Sequence, residues 1–406
     1  MRRHARMYVM GLLLAAGLGA AVATRPAQGP SPEQFREQSR AWSTRTEATG
    51  LADPFTGVTT NGTIVPGLFE VRSTGVSTEP VVRAGGRFLD SLNADQRRKT
   101  VFPHDDLEWR KWANQHIYAR QGVSFDEMTG AQREAAFALL AASLSAKGLQ
   151  LTRDIMHLNE TLGELTGNNF VEYGEGKYWI SVMGEPSATE PWGWQLDGHH
   201  LNLNYFVLGD QVVMTPAFWG SEPAVAESGK YAGTAILQDE QGRGLAMVRA
   251  LTPQQREDAI LETSKRGNNI LAQAFSDNIV LDYAGVRASS FSDAQKRQLL
   301  DLIGLYVGNI RDGHARVRMS EVEARLGDTY FAWIGGTADD SVYYYRVHSP
   351  VILIEFDHET PVGLRHMYPA GVPYREHIHS VVRTPNGNDY GKDLLRQHYA
   401  QHPHGG

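Results

Sequence analysis

The chain has 406 residues, a formal net charge of −7 and no cysteine. The missing cysteines exclude disulfide bonds, thiolate metal ligands and a cysteine nucleophile. The negative charge, with no basic stripe, disfavours a nucleic-acid partner. Hydrophobic residues make up 41% of the chain and charged residues 21%, which is typical of a globular protein with a substantial core.

The first 23 residues have the order of charged and apolar residues that is typical of a secretory signal peptide. Arg2, Arg3 and Arg6 precede an apolar run over residues 7–23, which ends in the small-residue cleavage site Ala21-Val22-Ala23. An uncleaved anchor is the alternative, although the run is short for a membrane span. We therefore expect an exported protein, periplasmic or extracellular, with no stable membrane anchor after signal cleavage.

The remaining chain is predicted to form one domain between two less regular ends. Residues 24–82 are polar at first and then rich in Gly, Pro and Thr, which predicts a leader or wrapping segment of low regularity. Residues 400–406 are predicted to form a mobile tail. No convincing linker divides residues 83–399, so this span is interpreted as a single domain.

A recurring pattern marks the starts of helices. An apolar residue is followed by Ser, Thr or Asn, and a Gln lies three positions after that cap residue, as in a capping box. The pattern occurs at residues 92–97, 128–133, 251–256 and 291–296. It predicts helices that include residues 252–274 and 292–307, and another that ends near Gly148.

Alternating and apolar runs predict two groups of strands. Residues 178–183, 192–196 and 199–208 form the first group, with a hairpin at Gly209-Asp210. Residues 330–334, 342–348, 351–357 and 377–383 form the second group. Because helical and strand blocks are segregated, we expect an α+β fold, a single large domain with a mainly antiparallel sheet flanked by helices.

Four histidines are candidate metal ligands. His377 and His379 project from one face of a predicted strand, about 7 Å apart, so both imidazoles can reach one ion. His199 and His200 should face opposite sides of a strand, unless a bulge after Gly198 changes their direction. His200 is the preferred third ligand, and a hydrogen-bonded core histidine is the alternative for His199. Paired surface histidines are the alternative for His377 and His379.

Three further polar residues are candidates for catalytic roles. Glu355 lies in a strongly apolar strand, where a carboxylate is costly unless it is paired, protonated or bound to a cation. We consider it a metal ligand or general base, and a buried pair with Arg346 is the alternative. Asn202 and Arg383 share predicted strand faces with His200 and His379, and both could orient a substrate or stabilise an oxyanion.

Several short motifs occur together along the chain: Val101-Phe102-Pro103, Gly184-Glu185-Pro186, Trp192-Gly193-Trp194, Gly198-His199-His200-Leu201, Phe331-Ala332-Trp333, Tyr344-Tyr345-Arg346, Ile354-Glu355-Phe356-Asp357, His377-Ile378-His379 and Asp389-Tyr390-Gly391-Lys392. With these motifs the chain resembles the uncharacterised domain-of-unknown-function 3500 family over about residues 83–399. The resemblance implies a single domain and does not imply a reaction.

These residues support two main hypotheses. The first is an exported metal-dependent hydrolase, in which a divalent metal such as zinc activates water for attack on a small-molecule or polymer substrate. A redox metalloenzyme with copper or iron is its variant. The second is a non-catalytic exported binding protein with an aromatic-lined pocket, and a scaffold domain is a third. The sequence has no G-x-S-x-G, H-E-x-x-H or phosphate-loop motif.

Overall fold

The structure is a computed structural model that describes residues 31–402. The predicted signal peptide lies outside the described residues, as do the last four residues of the predicted tail. The final helix reaches Gln401, so the predicted tail begins too early, because the buried Leu394 and Leu395 anchor this helix to the core. No helix within residues 31–402 is long and apolar enough to cross a membrane.

Ten α-helices lie in the described residues. Five of them begin with a capping box, including all four starts that the sequence pattern predicts. The helices are α1 (Pro32–Gly50), α2 (Glu79–Ser91), α3 (Ala94–Thr100), α4 (Gly130–Ser143), α5 (Ala146–Leu165), α6 (Gln238–Arg249), α7 (Pro253–Ala259), α8 (Asp293–Val307), α9 (Asp312–Ala324) and α10 (Lys392–Gln401).

Thirteen strands of the described residues form one mostly antiparallel sheet, as predicted for an α+β fold. They are β1 (Val101–Phe102), β2 (Val123–Ser124), β3 (Tyr178–Met183), β4 (Trp192–Gly198), β5 (Leu201–Leu208), β6 (Gln211–Val213), β7 (Ala217–Ser221), β8 (Ile260–Glu262), β9 (Val286–Arg287), β10 (Tyr330–Gly335), β11 (Tyr343–His348), β12 (Leu353–His358) and β13 (Ile378–Arg383).

Some predicted bounds are wrong. The helix predicted over residues 252–274 ends at Ala259, because the chain then pairs as β8 with β10. Gly148 does not end a helix, since α4 stops at Ser143 and Gly148 lies inside α5. The predicted wrapping segment, residues 24–82, contains the regular helix α1 and the first turn of α2.

The sheet has a two-fold repeat. Its strand order is β1-β3-β4-β5-β7-β13-β12-β11-β10-β8, and strands at equal distances from the two edges are equivalent. At the edges, β1 and β8 are each parallel to their neighbour, and at the centre β7 pairs with β13. In both halves two helices precede the outer strands and two more follow them. Ala217 of β7 pairs with Val382 of β13, close to the pseudo-two-fold axis. The repeated helix starts in the sequence therefore belong to two equivalent halves.

The two faces of the sheet are covered differently. The main core lies between one face and the helices α2, α4, α5, α6, α8 and α9, and it includes Trp194, Leu203 and Phe356. The other face is covered by irregular segments and by α10, which pack on Phe218 and Val381. The candidate histidines His377 and His379 lie on this second face, because they are on the same side of β13 as Val381.

Candidate metal centre

Three of the four candidate histidines meet at one point. The Nε2 atom of His377 lies 3.0 Å from Nε2 of His379 and 3.4 Å from Nε2 of His200. All three ligand atoms lie within 4.8 Å of one another, and the three residues form the one group of metal-binding type found in the described residues. Each side chain is buried, with at most 6% of the residue exposed. We call these three residues the histidine cluster.

The central strands place the cluster across the two halves of the fold. Gly220 of β7 pairs with His379 of β13 on one side, and its N–H donates to the carbonyl of His200 on the other. Strands are about 4.8 Å apart, so two histidines that flank one residue start about 10 Å apart. A Cβ atom on Gly220 would lie 3.1 Å from Cδ2 of His379. The glycine thus leaves room for the rings to meet above it.

His200 does not lie in a strand, contrary to the predicted alternation. His199 and His200 form the turn between β4 and β5, and His200 has a positive φ of 62°. This left-handed conformation is uncommon for a residue with a side chain and costs about 1 kcal/mol or more. The turn directs the His200 ring toward the cluster. The predicted alternation of strand faces therefore does not apply to His200, although the choice of His200 over His199 as a ligand agrees with the geometry.

In two of the cluster histidines, an oxygen atom of a residue outside the cluster lies close to Nδ1. Nδ1 of His377 lies 2.7 Å from the carbonyl oxygen of Thr360, which can only accept. Nδ1 of His379 lies 2.9 Å from a carboxylate oxygen of Glu359. A neutral imidazole that donates from Nδ1 carries its lone pair on Nε2. The lone pair of His377 therefore points into the cluster, whereas the contact between His379 and Glu359 is a close approach without hydrogen-bond geometry.

The segment that supplies these acceptors is itself anchored. Asn268 donates to the second oxygen of Glu359 at 2.9 Å and accepts from the backbone N–H of Thr360 at 2.9 Å. The buried carboxylate of Glu222 accepts from three consecutive backbone N–H groups, at residues 362–364, and from the hydroxyl of Tyr374 at 2.8 Å. These contacts fix residues 359–364 against the cluster.

Burial and charge shift the pKa values of His200, His377 and Glu359. Burial, followed by the neighbouring imidazoles, lowers the pKa of His200 well below its usual range and also lowers the pKa of His377. Burial opposes ionisation of Glu359, but the charges of His379, His377 and Lys265 outweigh it and lower the pKa of Glu359. The site thus combines imidazoles of lowered pKa at His200 and His377 with a carboxylate of lowered pKa at Glu359.

Two of the three separations between the nitrogen atoms are close to those around a tetrahedral ion. Zinc binds imidazole nitrogen at about 2.0–2.1 Å, which places two tetrahedral ligands about 3.3 Å apart. The observed separations of 3.0 and 3.4 Å lie on either side of this value. The residues present therefore fit a divalent metal held by three imidazoles.

His199 lies beside the cluster rather than in it. Its ring stacks on the ring of His200 with a centroid distance of 3.8 Å, and its Nδ1 lies 2.8 Å from Oδ1 of Asn159. Asn159 donates from its amide nitrogen to a backbone carbonyl, so Oδ1 is the acceptor and His199 is the donor. The arrangement matches the alternative reading, a hydrogen-bonded core histidine, and it supports the orientation of His200.

Glu355 is engaged away from the cluster. Its carboxylate accepts from the hydroxyl of Tyr344 at 2.5 Å and from the backbone N–H groups of Leu271 and Ala272, the latter at 2.8 Å. Burial raises the pKa of Glu355, and these hydrogen bonds oppose the shift. Because its acceptor positions are used by a covering loop, Glu355 anchors that loop, and the geometry gives it no contact with the histidines.

Arg383 and Asn202 are also held in buried networks. The guanidinium of Arg383 donates to Asp389 and Asp277, both at 2.7 Å, and is fully buried. The amide of Asn202 donates to Asp197, which also pairs with Arg120 at 3.0 Å. Both side chains stabilise packed segments, and neither extends into the cluster.

The residues that the sequence interpretation missed are Glu359, Thr360, Glu222 and Gly220. Glu359 continues the spacing of Glu355 on the same side of the chain, so the alternation of carboxylates was a signal for it. The other three have no such signal. Thr360 acts through its backbone carbonyl, and Gly220 acts through the absence of a side chain. Glu222 acts through its carboxylate, which accepts from backbone N–H groups of another segment.

The comparisons with known proteins identify a family and no activity. No curated protein and no solved structure matches the chain. One family model, described as protein of unknown function (DUF3500), matches residues 74–392, which is most of the chain and contains the whole histidine cluster. The protein therefore belongs to the DUF3500 family.

Proposed function

We propose that this protein is a metal-dependent hydrolase whose ion is held by His200, His377 and His379. The observation that carries the proposal is the convergence of three buried Nε2 atoms, two of which have Nδ1 facing an acceptor. A zinc ion on three imidazoles keeps a position for water and lowers the pKa of that water to about 7. Zinc is the first candidate, and copper or iron would support the redox variant.

The chain's own residues would hold and orient the imidazoles. Thr360 would hold the Nδ1 proton of His377, so that this ring presents Nε2, and Glu359 lies 2.9 Å from Nδ1 of His379. Gly220 leaves the space in which the rings meet. Stacking of His199 restricts rotation of the His200 ring.

In the proposed reaction, water is added across an acyl or ester bond of the substrate. The water oxygen forms a bond with the carbonyl carbon, the bond to the leaving group breaks, and the leaving group takes a proton. We further propose that the reaction takes place outside the cytoplasm, on the basis of the N-terminal pattern of charged and apolar residues. The negative net charge supports a partner other than nucleic acid.

The first experiment measures the metal content of the protein, purified without an added His tag, by mass spectrometry. The protein is compared with a His377→Gln/His379→Gln variant and with a His402→Gln/His404→Gln control, which removes two C-terminal histidines outside the cluster. Near-stoichiometric metal that is lost in the first variant and retained in the control supports the proposal. Circular dichroism verifies that each variant is folded.

The second experiment tests hydrolysis directly. Wild-type protein loaded with zinc, the same protein after chelation and the cluster variant are assayed with 4-nitrophenyl acetate and with a phosphate diester. Metal-dependent turnover above that of free zinc is expected for 4-nitrophenyl acetate, and the phosphate diester serves as the comparison without a carbonyl carbon. Folded wild-type protein that takes up no zinc, copper, iron or manganese would overturn the proposal. The binding-protein alternative would then take its place.

A further inference from the structure

One buried arginine has no partner. Three arginines within residues 31–402 are buried, and two of them, Arg110 and Arg383, form ion pairs with Asp277. Arg346 of β11 is only 5% exposed, yet its guanidinium forms no ion pair and no hydrogen bond with any residue of this span, and its Nε is enclosed. A buried charged group without hydrogen bonds is costly. The N–H donors of Arg346 therefore require acceptors that the described residues do not supply.

The carboxylate that could pair with Arg346 is used elsewhere. Glu355 of β12 lies directly opposite Arg346 in the antiparallel pairing. Its oxygens instead accept from the hydroxyl of Tyr344 and from the backbone N–H groups of Leu271 and Ala272. Burial raises the pKa of Glu355, and these hydrogen bonds, followed by the charge of Arg346, oppose that shift. Glu355 therefore interacts with the charge of Arg346 at a distance but leaves its donors unpaired.

The equivalent position in the first half of the fold is satisfied by protein atoms. The pseudo-two-fold repeat makes Gln195 of β4 equivalent to Arg346 of β11. The amide nitrogen of Gln195 donates to Oδ1 of Asn204 on the next strand at 2.8 Å, and to the carbonyl of Trp109 in the covering segment at 3.1 Å. In the second half, the covering segment presents N–H groups to Glu355 instead. The unpaired donors are thus specific to Arg346 and do not follow from the sheet itself.

A second side chain on the same face also lacks a partner. His348 follows Arg346 by two residues on β11, so both side chains lie on the second face of the sheet. His348 is 1% exposed, and its Nδ1 has no hydrogen-bond partner in the part of the chain that the structure describes. Burial, followed by the charge of Arg346, lowers the pKa of His348 to about 3. The imidazole is therefore neutral at neutral pH, and it adds a second unpaired polar group to this face.

The chemistry of Arg346 favours a singly charged carboxylate as its partner. A guanidinium binds the two oxygens of a carboxylate side by side, and such charge-assisted hydrogen bonds are stronger than those to a neutral oxygen. A doubly charged phosphate would bring more negative charge close to Glu355. Among the guanidinium nitrogens of Arg346, Nε alone is fully enclosed without a partner. The Nη atoms are therefore the groups that a ligand can reach.

We propose that Arg346 binds the carboxylate group of a small organic acid through the Nη atoms of its guanidinium. The bound carboxylate supplies the acceptors that Glu355 does not provide. The site uses none of the three histidines of the cluster, so binding requires no metal and does not depend on the hydrolase proposal.

The test measures thermal unfolding of the purified protein at pH 7.5, with a chelator present and the ionic strength held constant with sodium chloride. The chelator prevents acetate from binding through a metal ion at the histidine cluster. Acetate, acetamide and phosphate are compared at about 0.1 M, which stabilises the folded protein if the dissociation constant is millimolar. We expect acetate to raise the unfolding midpoint by at least about 1 °C over sodium chloride alone, and acetamide and phosphate to raise it less.

Two variants and a control locate the effect. Arg346→Met should abolish the acetate shift, and Arg346→Lys, which keeps the charge but loses one of two parallel hydrogen bonds, should weaken acetate binding about tenfold. Arg287→Met is the control, because Arg287 is an exposed arginine of the nearby strand β9 that already pairs with Asp328, and it should keep the shift. Without acetate, Arg346→Met should unfold at the same midpoint as wild type or at a higher one, since it removes an unpaired buried cation.

Four outcomes would overturn the proposal. They are no acetate shift beyond that of sodium chloride, an equal shift with acetamide, a larger shift with phosphate, and an unchanged acetate shift in folded Arg346→Met or Arg346→Lys. Circular dichroism verifies that each variant is folded. An acetate shift in protein that takes up no metal would support this site while the hydrolase proposal fails, so the two proposals can be separated.

Discussion

Replacing Glu359 by Gln tests whether its contact with His379 orients a metal ligand. The carboxylate lies 2.9 Å from Nδ1 of His379, and both side chains are at most 7% exposed. Gln keeps an acceptor oxygen at the same position and removes only the charge. The expected result is weaker metal binding with an intact fold, because the ring can still be held but its Nε2 becomes a poorer donor to the ion.

The expected magnitude is set by the role of Glu359 as an outer-shell partner. Loss of an outer-shell partner of a metal-binding histidine reduces affinity about 10- to 100-fold. This range corresponds to about 1.4–2.8 kcal/mol. We expect Glu359→Gln to fall within it.

The assay is competition for zinc between the protein and a chromogenic chelator at pH 7.5. Glu355→Gln is the matched control, since Glu355 is also buried and on the same side of the chain but contacts the covering loop instead. The control should bind zinc within about threefold of wild type. An unchanged affinity in Glu359→Gln, or an equal loss in both variants, would refute an orienting role for this carboxylate.

Three further predictions concern stability, measured by urea unfolding with tryptophan fluorescence. Gly220→Ala places a Cβ atom 2.5 Å from a backbone carbonyl oxygen and should cost about 1–3 kcal/mol, whereas Gly242→Ala, with open space around it, should be neutral or stabilising. Arg383→Met leaves the buried Asp389 without its cation and removes one of the two arginines that pair with Asp277, so it should cost about 3–5 kcal/mol. The exposed Arg396→Met should cost less than about 1 kcal/mol. Burial lowers the pKa of His348 to about 3. Between about pH 6.5 and pH 3 the unfolded chain therefore binds a proton at His348 that the folded protein does not bind, so the free energy of unfolding should fall as the pH is lowered through this range. His348→Gln should reduce that fall by about 2 kcal/mol between pH 6.5 and pH 5.

Each of these predictions has an outcome that contradicts it. Equal stabilities of Gly220→Ala and Gly242→Ala would mean that the close approach at Gly220 is relieved without cost. An Arg383→Met protein as stable as wild type would contradict the structural role of that arginine. Identical pH profiles for wild type and His348→Gln would mean that His348 is protonated equally in the folded and unfolded states.

Much of the local structure could be predicted from short stretches of sequence. The capping boxes depend on contacts between residues three apart, and all four predicted helix starts are present. The strands near residues 178–183 and 330–334 follow from apolar runs of strand length. The H-x-H pair could be recognised because residues two apart share a strand face, whatever the partner of that strand is.

The roles of the buried charges could not be predicted in this way. Glu355 and Arg383 looked like site residues because a charge in an apolar strand needs a partner. Their partners, among them Ala272 and Asp277, come from a segment about 80–110 residues away along the chain. Only the packing of that segment on the sheet decides that these charges are structural.

The fold class, the helix starts and one pair of candidate ligands could be predicted from the sequence, because each depends on the order of nearby residues. The tertiary structure decided that His200 joins His377, a contact across 177 residues of chain, because β7 pairs with β13 at the pseudo-two-fold axis and brings the two halves together. It also decided the direction of the His200 ring through a left-handed turn. Long-range strand pairing leaves no pattern in one local stretch, so the site forms only when both halves have folded.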